Sequence, residues 1–314
     1  METKQKKITC AFNVGQEITK NDFNLLKNNY TNYDDTGETT FIIKKEIIEE
    51  NLTFNQHVAG IRFMYGLKDA LNPNSKVLFL IPCSSLSDTS IATEALLRKE
   101  GYNDHEGNVY SLQEIAVMMS YYIKNVSKNN PNLNYKEITR GGFYGKYSLN
   151  NVLIPDCKFI EFHFGFKQDH IAPIIKPLDK NYSHINEIYM DFSQPCPTVC
   201  DMGGNEEMDR TCLTESAVKS SNELDLYRHY RDNHLLALEG GPELYEMYYF
   251  VSPLITKLMH KSVTKEIVLQ EFYEQEITPF KLLLKEGNYQ EAAYALKQTL
   301  YKLAETYDYS EQFV

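Results

Sequence analysis

A chain of 314 residues with a formal net charge of -11 and 42% hydrophobic residues is long enough for two domains and apolar enough to bury a core. That charge argues against a nucleic-acid backbone, which selects clustered Lys and Arg, and equally against an anionic membrane surface. Trp is absent, so aromatic packing falls to 23 Tyr and 16 Phe.

The opening stretch M-E-T-K-Q-K-K-I-T-C-A-F is basic without a long apolar core, which predicts no secretory signal. No run approaches 18 uninterrupted apolar residues, so no membrane span is expected. Six Cys in such a chain predict reduced thiols in a cytoplasm.

From Phe41 to Leu52 apolar residues at 42, 43, 47, 48 and 52 predict a helix. The run A-G-I-R-F-M-Y-G-L-K-D from Ala59 to Asp69 predicts a strand leaving through a turn at Gly66. Lys76 to Cys83 is a second, strongly apolar strand that ends in Pro-Cys. Residues 88–140 are expected to form a helical insertion. Within it Ser111 and Glu114 form a capping box, and Asn129-Asn130-Pro131 ends the helix.

The pattern then repeats. Phe143 to Leu153 is a weaker helical stretch, and F-I-E-F-H-F-G-F-K-Q-D from Phe159 to Asp169 echoes the first strand. Aligning Gly66 with Gly165 pairs Ile61 with Ile160, Phe63 with Phe162, Tyr65 with Phe164 and Lys68 with Lys167. Ile185 to Cys196 is expected as the second strand of this copy, again ending in Pro-Cys. The order helix, strand, turn, strand twice over predicts an α+β fold with a duplicated module, its copies at about 38–87 and 141–200, within a first domain of residues 1–205. Gly60, Ile61, Arg62, Tyr65 and Gly66, with Cys196-Pro197 and Cys200, resemble a group of uncharacterised Bacteroidetes proteins. That resemblance covers about residues 38–204 and implies no activity.

From Asp201 to Phe250 eleven acidic residues face four basic ones, which places -7 of the -11 there. Such a stretch is a solvated face or a docking surface for a basic partner. Residues 206–314 are expected to be helical. Residues 212–262 resemble the CFI-box C-terminal domain at Cys212, Arg231, Asp232, Tyr248, Tyr249, Ser252 and Pro253. The chain departs from that family in having Leu213-Thr214 and Tyr230, and the family's role is unassigned. L-L-L-K-E-G-N-Y-Q-E-A-A-Y-A-L-K resembles one tetratricopeptide-type helix pair, a hairpin over residues 270–308 with its turn at Gly287.

Two readings of function follow. The leading one is a non-catalytic protein-interaction or self-assembly scaffold of a bacterial cytoplasm, with Arg231, Asp232, Tyr248 and Tyr249 on its contact surface. The alternative is a zinc-dependent enzyme or zinc-stabilised module. Cys196, Cys200 and Cys212 would supply three ligands, and His163, His170, His184, His229 or His234 the fourth; His163 heads that set. C-x3-C with a lone third Cys is not the usual zinc spacing. Neither a G-x-S-x-G elbow nor a phosphate-binding glycine loop occurs, so no catalytic or cofactor-binding residue is assigned.

Overall fold

The computed structural model describes residues 11–33, 40–85, 93–96, 98, 100–130, 138–167, 170–191, 195–196, 213–218, 220–261 and 265–306. The chain forms two compact units. Residues 1–96, 100–111 and 121–197 make the first, and 97–99, 112–120 and 198–314 the second. Among the described residues no helix is long and apolar enough to cross a membrane.

In chain order the elements to the end of the first unit are β1 (Gln16–Glu17), α1 (Lys20–Tyr33), β2 (Thr40–Lys44), α2 (Lys45–Thr53), β3 (Val58–Leu67) and β4 (Lys76–Ser85). There follow β5 (Thr93–Ala95), β6 (Tyr102–Asp104), β7 (Val109–Tyr110), α3 (Leu112–Asn129) and β8 (Gly141–Gly145). The last are α4 (Lys146–Val152), β9 (Phe159–Lys167), β10 (His170–Leu178), β11 (Met190–Asp191) and β12 (Pro195–Cys196). The fold is α+β. One sheet has the order β1-β11-β10-β9-β2, and the other β12-β8-β3-β4-β6-β7 with β5 beside β4.

Two stretches of the first unit share one element order, longer than the repeat expected from the sequence pattern. Each copy is strand, helix, hairpin: β2-α2-β3-β4 and β8-α4-β9-β10. The leading strand of each copy joins the other copy's sheet. β2 pairs antiparallel with β9, setting Phe41 opposite Phe162 and Ile43 opposite Ile160. β8 pairs antiparallel with β3, setting Gly142 opposite Phe63 and Tyr144 opposite Ile61. The two registers are the same once the copies are aligned on Gly66 and Gly165. Repeated aromatic positions then meet across the core, with Phe63 and Phe162 centroids 5.5 Å apart and Tyr65 and Phe164 4.5 Å apart.

Three expectations are corrected. Phe41 and Phe143 do not begin helices: Thr40–Lys44 and Gly141–Gly145 are strands, and helix starts only at Lys45 and Lys146. The second strand of the later copy is His170–Leu178, not 185–196. Its repeated landmark is a proline, since Pro82 faces Ile61 and Pro177 faces Ile160. Proline gives no ladder hydrogen bond, so it suits places without an outer partner. Pro82 falls between the β6 and β5 pairings, and Pro177 beyond the two residues paired with β11. Finally, Gly66 and Gly165 lie inside strands rather than at turns. A Cβ on Gly165 would stand 3.1 Å from the Leu26 Cβ of α1, so the glycine admits that helix against the sheet.

Between the copies three short strands accompany the helix expected there. Arg62 on β3 holds one of them: its Nε and Nη2 donate to Thr93 Oγ1 at 3.3 and 3.0 Å, and Nη2 also donates to the Thr93 carbonyl. Gly60 is required by close approach, because a Cβ there would sit 2.1 Å from the Tyr144 carbonyl oxygen. The Tyr144 hydroxyl in turn donates to the carbonyls of Pro173 and Met190 at 2.9 and 3.3 Å, tying β8 to the other sheet.

The second unit is helical. Its elements after residue 212 are α5 (Leu213–Ala217), α6 (Ser221–Asn233), α7 (Gly241–Lys261), α8 (Lys265–Phe272), a π-helical turn (Tyr273–Ile277), α9 (Thr278–Lys285) and α10 (Tyr289–Thr306). Ser220 caps α6 by accepting from the Glu223 N–H. Gly287, at φ +76°, takes the left-handed step that ends α9 and lets α10 turn back.

Candidate functional site

Two clusters of polar side chains stand out, one in each unit. In the first, strand pairing sets Thr40 opposite His163 and Lys176 opposite Glu161, and pleat alternation puts His163 and Glu161 on one face. Thr40 Oγ1 lies 2.9 Å from His163 Nδ1, His163 Nε2 2.6 Å from Glu161 Oε1, and Lys176 Nζ 3.0 Å from Glu161 Oε2. The acceptor-only carboxylate fixes the Nε2–H tautomer, which leaves Nδ1 to accept from the threonine hydroxyl. The ring meets Phe23 of α1 edge-on at 5.4 Å.

His163 lies on the less buried face of β9, opposite Phe162 and Phe164, and is itself fully buried there. Burial pushes its pKa below 6.5 against the pull of Glu161, so the imidazole is neutral at pH 7. Burial also opposes ionisation of Glu161, but the bonds from His163 and Lys176 outweigh it and hold this carboxyl at about 2. Hydroxyl, imidazole and carboxylate stand in the order that activates a nucleophile. Here the order follows from neighbouring ladder positions, and the row seals β2 to β9 beneath α1.

The residues expected to bind zinc lie as follows. Both His163 nitrogens are engaged as above. Cys196 lies on β12, its backbone opposite Gly141, and Cys200 and Cys212 fall outside the described residues. His170 opens β10. His184 uses both nitrogens, Nε2 with the Ile188 carbonyl at 3.1 Å and Nδ1 with the Tyr189 hydroxyl at 3.2 Å. His229 contacts Asn233 at 3.0 Å, and His234 stacks on Tyr289 at 3.9 Å. Among the described residues no three His, Cys, Asp or Glu group as metal ligands.

The second cluster gathers the residues expected on a contact surface. α6 carries Leu224, Tyr227, Arg228 and Arg231 at helical spacing of three and four, a short 3₁₀ turn (Leu235–Ala237) adds Leu235, and α7 carries Tyr245, Tyr248 and Tyr249 at the same spacing. With Thr214, Tyr230, Phe280 and Leu296 these side chains line a half-open cavity of about 550 Å³, mouth included. A smaller cavity beside it shares Thr214, Tyr248, Phe280 and Leu296 and reaches the π-helical turn at Glu276 and Ile277.

Internal bonds hold the walls. Arg231 grips Asp232 with Nε and Nη2 at 2.7 and 3.2 Å, and its Nη1 donates to the Tyr249 hydroxyl at 2.8 Å. The Tyr248 and Thr214 hydroxyls bond each other at 2.9 Å. Tyr227 and Tyr273 both donate to Glu223 Oε1 at 3.1 Å, where Lys281 Nζ also reaches at 2.9 Å. Burial raises the Glu223 pKa, and the bonds from Lys281, Tyr227 and Tyr273 bring it back below 4.5. Burial likewise drives the Tyr227, Tyr230 and Tyr249 phenols far up, so all three stay protonated. The cavity wall therefore presents ring faces with its hydroxyls already committed.

Of the four residues expected here, Arg231, Tyr248 and Tyr249 line the cavity, while Asp232 stands behind Arg231 and outside the lining. Tyr227, Tyr230, Tyr245 and Arg228 were not singled out as site residues. Their signal was two aromatic stripes on consecutive helices, a pattern that also describes plain core. No described protein family, curated protein or solved structure matches the chain.

Proposed function

We propose that the protein is a non-catalytic interaction or assembly protein, and that its helical unit makes the contact through the cavity beside Arg231 and Tyr249. The observation that carries this reading is the preformed wall: an open, ring-lined cavity whose phenols and guanidinium are bonded to one another. Tyr and Arg are the side chains that most often anchor interfaces, and a wall already held in place loses little entropy when a partner arrives. A reducing setting such as a bacterial cytoplasm suits the buried thiols of Cys83 and Cys157, which form no disulfide.

The test is capture of partners, or of further copies of the chain, from native cells by the tagged full-length protein. It is run beside Leu224→Trp, which fills the cavity, and Arg231→Gln. Both variants should lose the captured species while keeping the wild-type circular dichroism and melting. Capture of the same species in the same amount by folded variants contradicts the reading.

A further inference from the structure

The cavity lining divides sharply by chemistry. Its uncharged part is ring faces, aliphatic side chains and Thr214, whose hydroxyl is bonded to Tyr248, and its charged members are two cations, Arg228 and Arg231, one turn apart on α6. The acids nearby are turned to other work. Glu223 is taken by Lys281, Tyr227 and Tyr273, Asp232 binds the back of Arg231, and Asp225 stands 3.9 Å from Arg228; none of the three lines the cavity. A guanidinium has five N–H donors, and Arg231 spends three of them, on the two Asp232 oxygens and on Tyr249. Two donors remain on a fork that Asp232 and Tyr249 hold rigid, in the wall of an apolar cavity. Such a fork is the usual receptor for a carboxylate, and apolar surroundings strengthen the bonds it forms.

We infer that the cavity is a binding site for a carboxylate carried next to a short apolar group, presented by a protein partner as an acidic group beside an aliphatic side chain. The apolar group enters among the tyrosine rings, and the carboxylate takes the two remaining N–H donors of Arg231 with Arg228 adding field at the mouth. This rests on the interaction reading above, for which it names the chemistry of the partner.

The probes are N-acetyl-L-leucine, which has both features, N-acetyl-L-leucinamide, which lacks the charge, and N-acetylglycine, which lacks the apolar body. Calorimetric or ligand-observed NMR titration of the full chain should show the acid binding at least tenfold more tightly than either control. Arg231→Gln should remove the preference for acid over amide, and Leu224→Trp, which leaves every charge in place, should abolish binding of both. Failure of N-acetyl-L-leucine to bind, equal binding of acid and amide, or binding untouched by Leu224→Trp overturns the inference. Partner capture separates the two claims. Loss of partners in Leu224→Trp without acid preference sinks the carboxylate and leaves the interaction. Acid-selective binding with capture unchanged sinks the interaction and leaves a site for small carboxylates.

Discussion

Lys45 and Lys146 occupy the same place in the two copies and do the same thing to each other's copy. Lys45, first residue of α2, donates to the Leu153 and Ile154 carbonyls at the end of α4, at 3.1 and 3.2 Å. Lys146, first residue of α4, donates to the Leu52 carbonyl near the end of α2, at 3.1 Å. An ammonium there meets carbonyls at a helix end and the negative end of the dipole. The two helices thus close each other, as β2 and β8 close each other's sheets.

Replacing either lysine by Met keeps the apolar stem and removes the charge. Each single variant should cost about 1–2 kcal/mol in urea-induced unfolding of the first unit, in line with charged hydrogen bonds. The two bonds lie about one helix length apart, so the double variant should cost nearly the sum. A double variant no worse than a single one would contradict the reciprocal arrangement.

The His163 row makes the first unit sensitive to acid. Folding favours the neutral imidazole, so below pH 6.5 the unfolded chain takes up the proton first and stability falls. Folding favours the Glu161 carboxylate, whose contribution is complete above pH 4.5 and is lost as pH falls toward about 2. Lys27 and Lys176 face the imidazole and oppose its protonation further. His163→Met installs the residue that the first copy has at Met64. It should flatten the fall in urea midpoint between pH 6.5 and 4.5, and an unchanged slope there would assign the acid sensitivity elsewhere.

Glu223 collects three donors from three elements: α6 itself, the π-helical turn and α9. Glu223→Ala leaves Lys281, Tyr227 and Tyr273 without their shared acceptor. The expected loss is about 1.5–3 kcal/mol, the size found for bonds to charged groups. Thermal unfolding of the helical unit reads this, and cavity binding should weaken with it because Tyr227 loses its anchor. Full retention of both would mean that the wall does not depend on this acid.

Tyr144→Phe removes a buried hydroxyl whose two carbonyl partners lie on the opposite sheet, and should cost about 1–3 kcal/mol through the loss of those bonds. Gly60→Ala is the harsher change, because its methyl group meets the same residue's carbonyl oxygen at 2.1 Å. It should give little folded protein, whereas Tyr144→Phe folds. Equal melting temperatures for Gly60→Ala and wild type would contradict the close approach of β3 and β8.

The duplication was legible because its core aromatics and glycine recur in one order, and Phe63, Tyr65, Phe162 and Phe164 do form the centre of the first unit. The leading strands were not. Five residues such as T-F-I-I-K run straight into α2, and their isoleucines extend its apolar face without a break. The strand His170–Leu178 was not assigned because the second Pro-Cys, at Pro195-Cys196, carried the match, whereas the matching landmark is Pro177 against Pro82. Burial of His163 depends on Phe23, about 140 residues earlier, which no local pattern reports. The cavity was half legible: Arg231, Tyr248 and Tyr249 were named, but facing stripes on two helices do not reveal whether the space between them is filled.

The most direct test of the interaction account is photo-crosslinking from the mouth of that cavity in native cells. A benzophenone side chain replaces Asp225, exposed beside Arg228, and in a second chain replaces Ile267, exposed on α8. The account predicts a discrete protein adduct from position 225 that is absent from position 267 and disappears when Leu224→Trp is added. No adduct from position 225, or the same adducts from both positions, would contradict it.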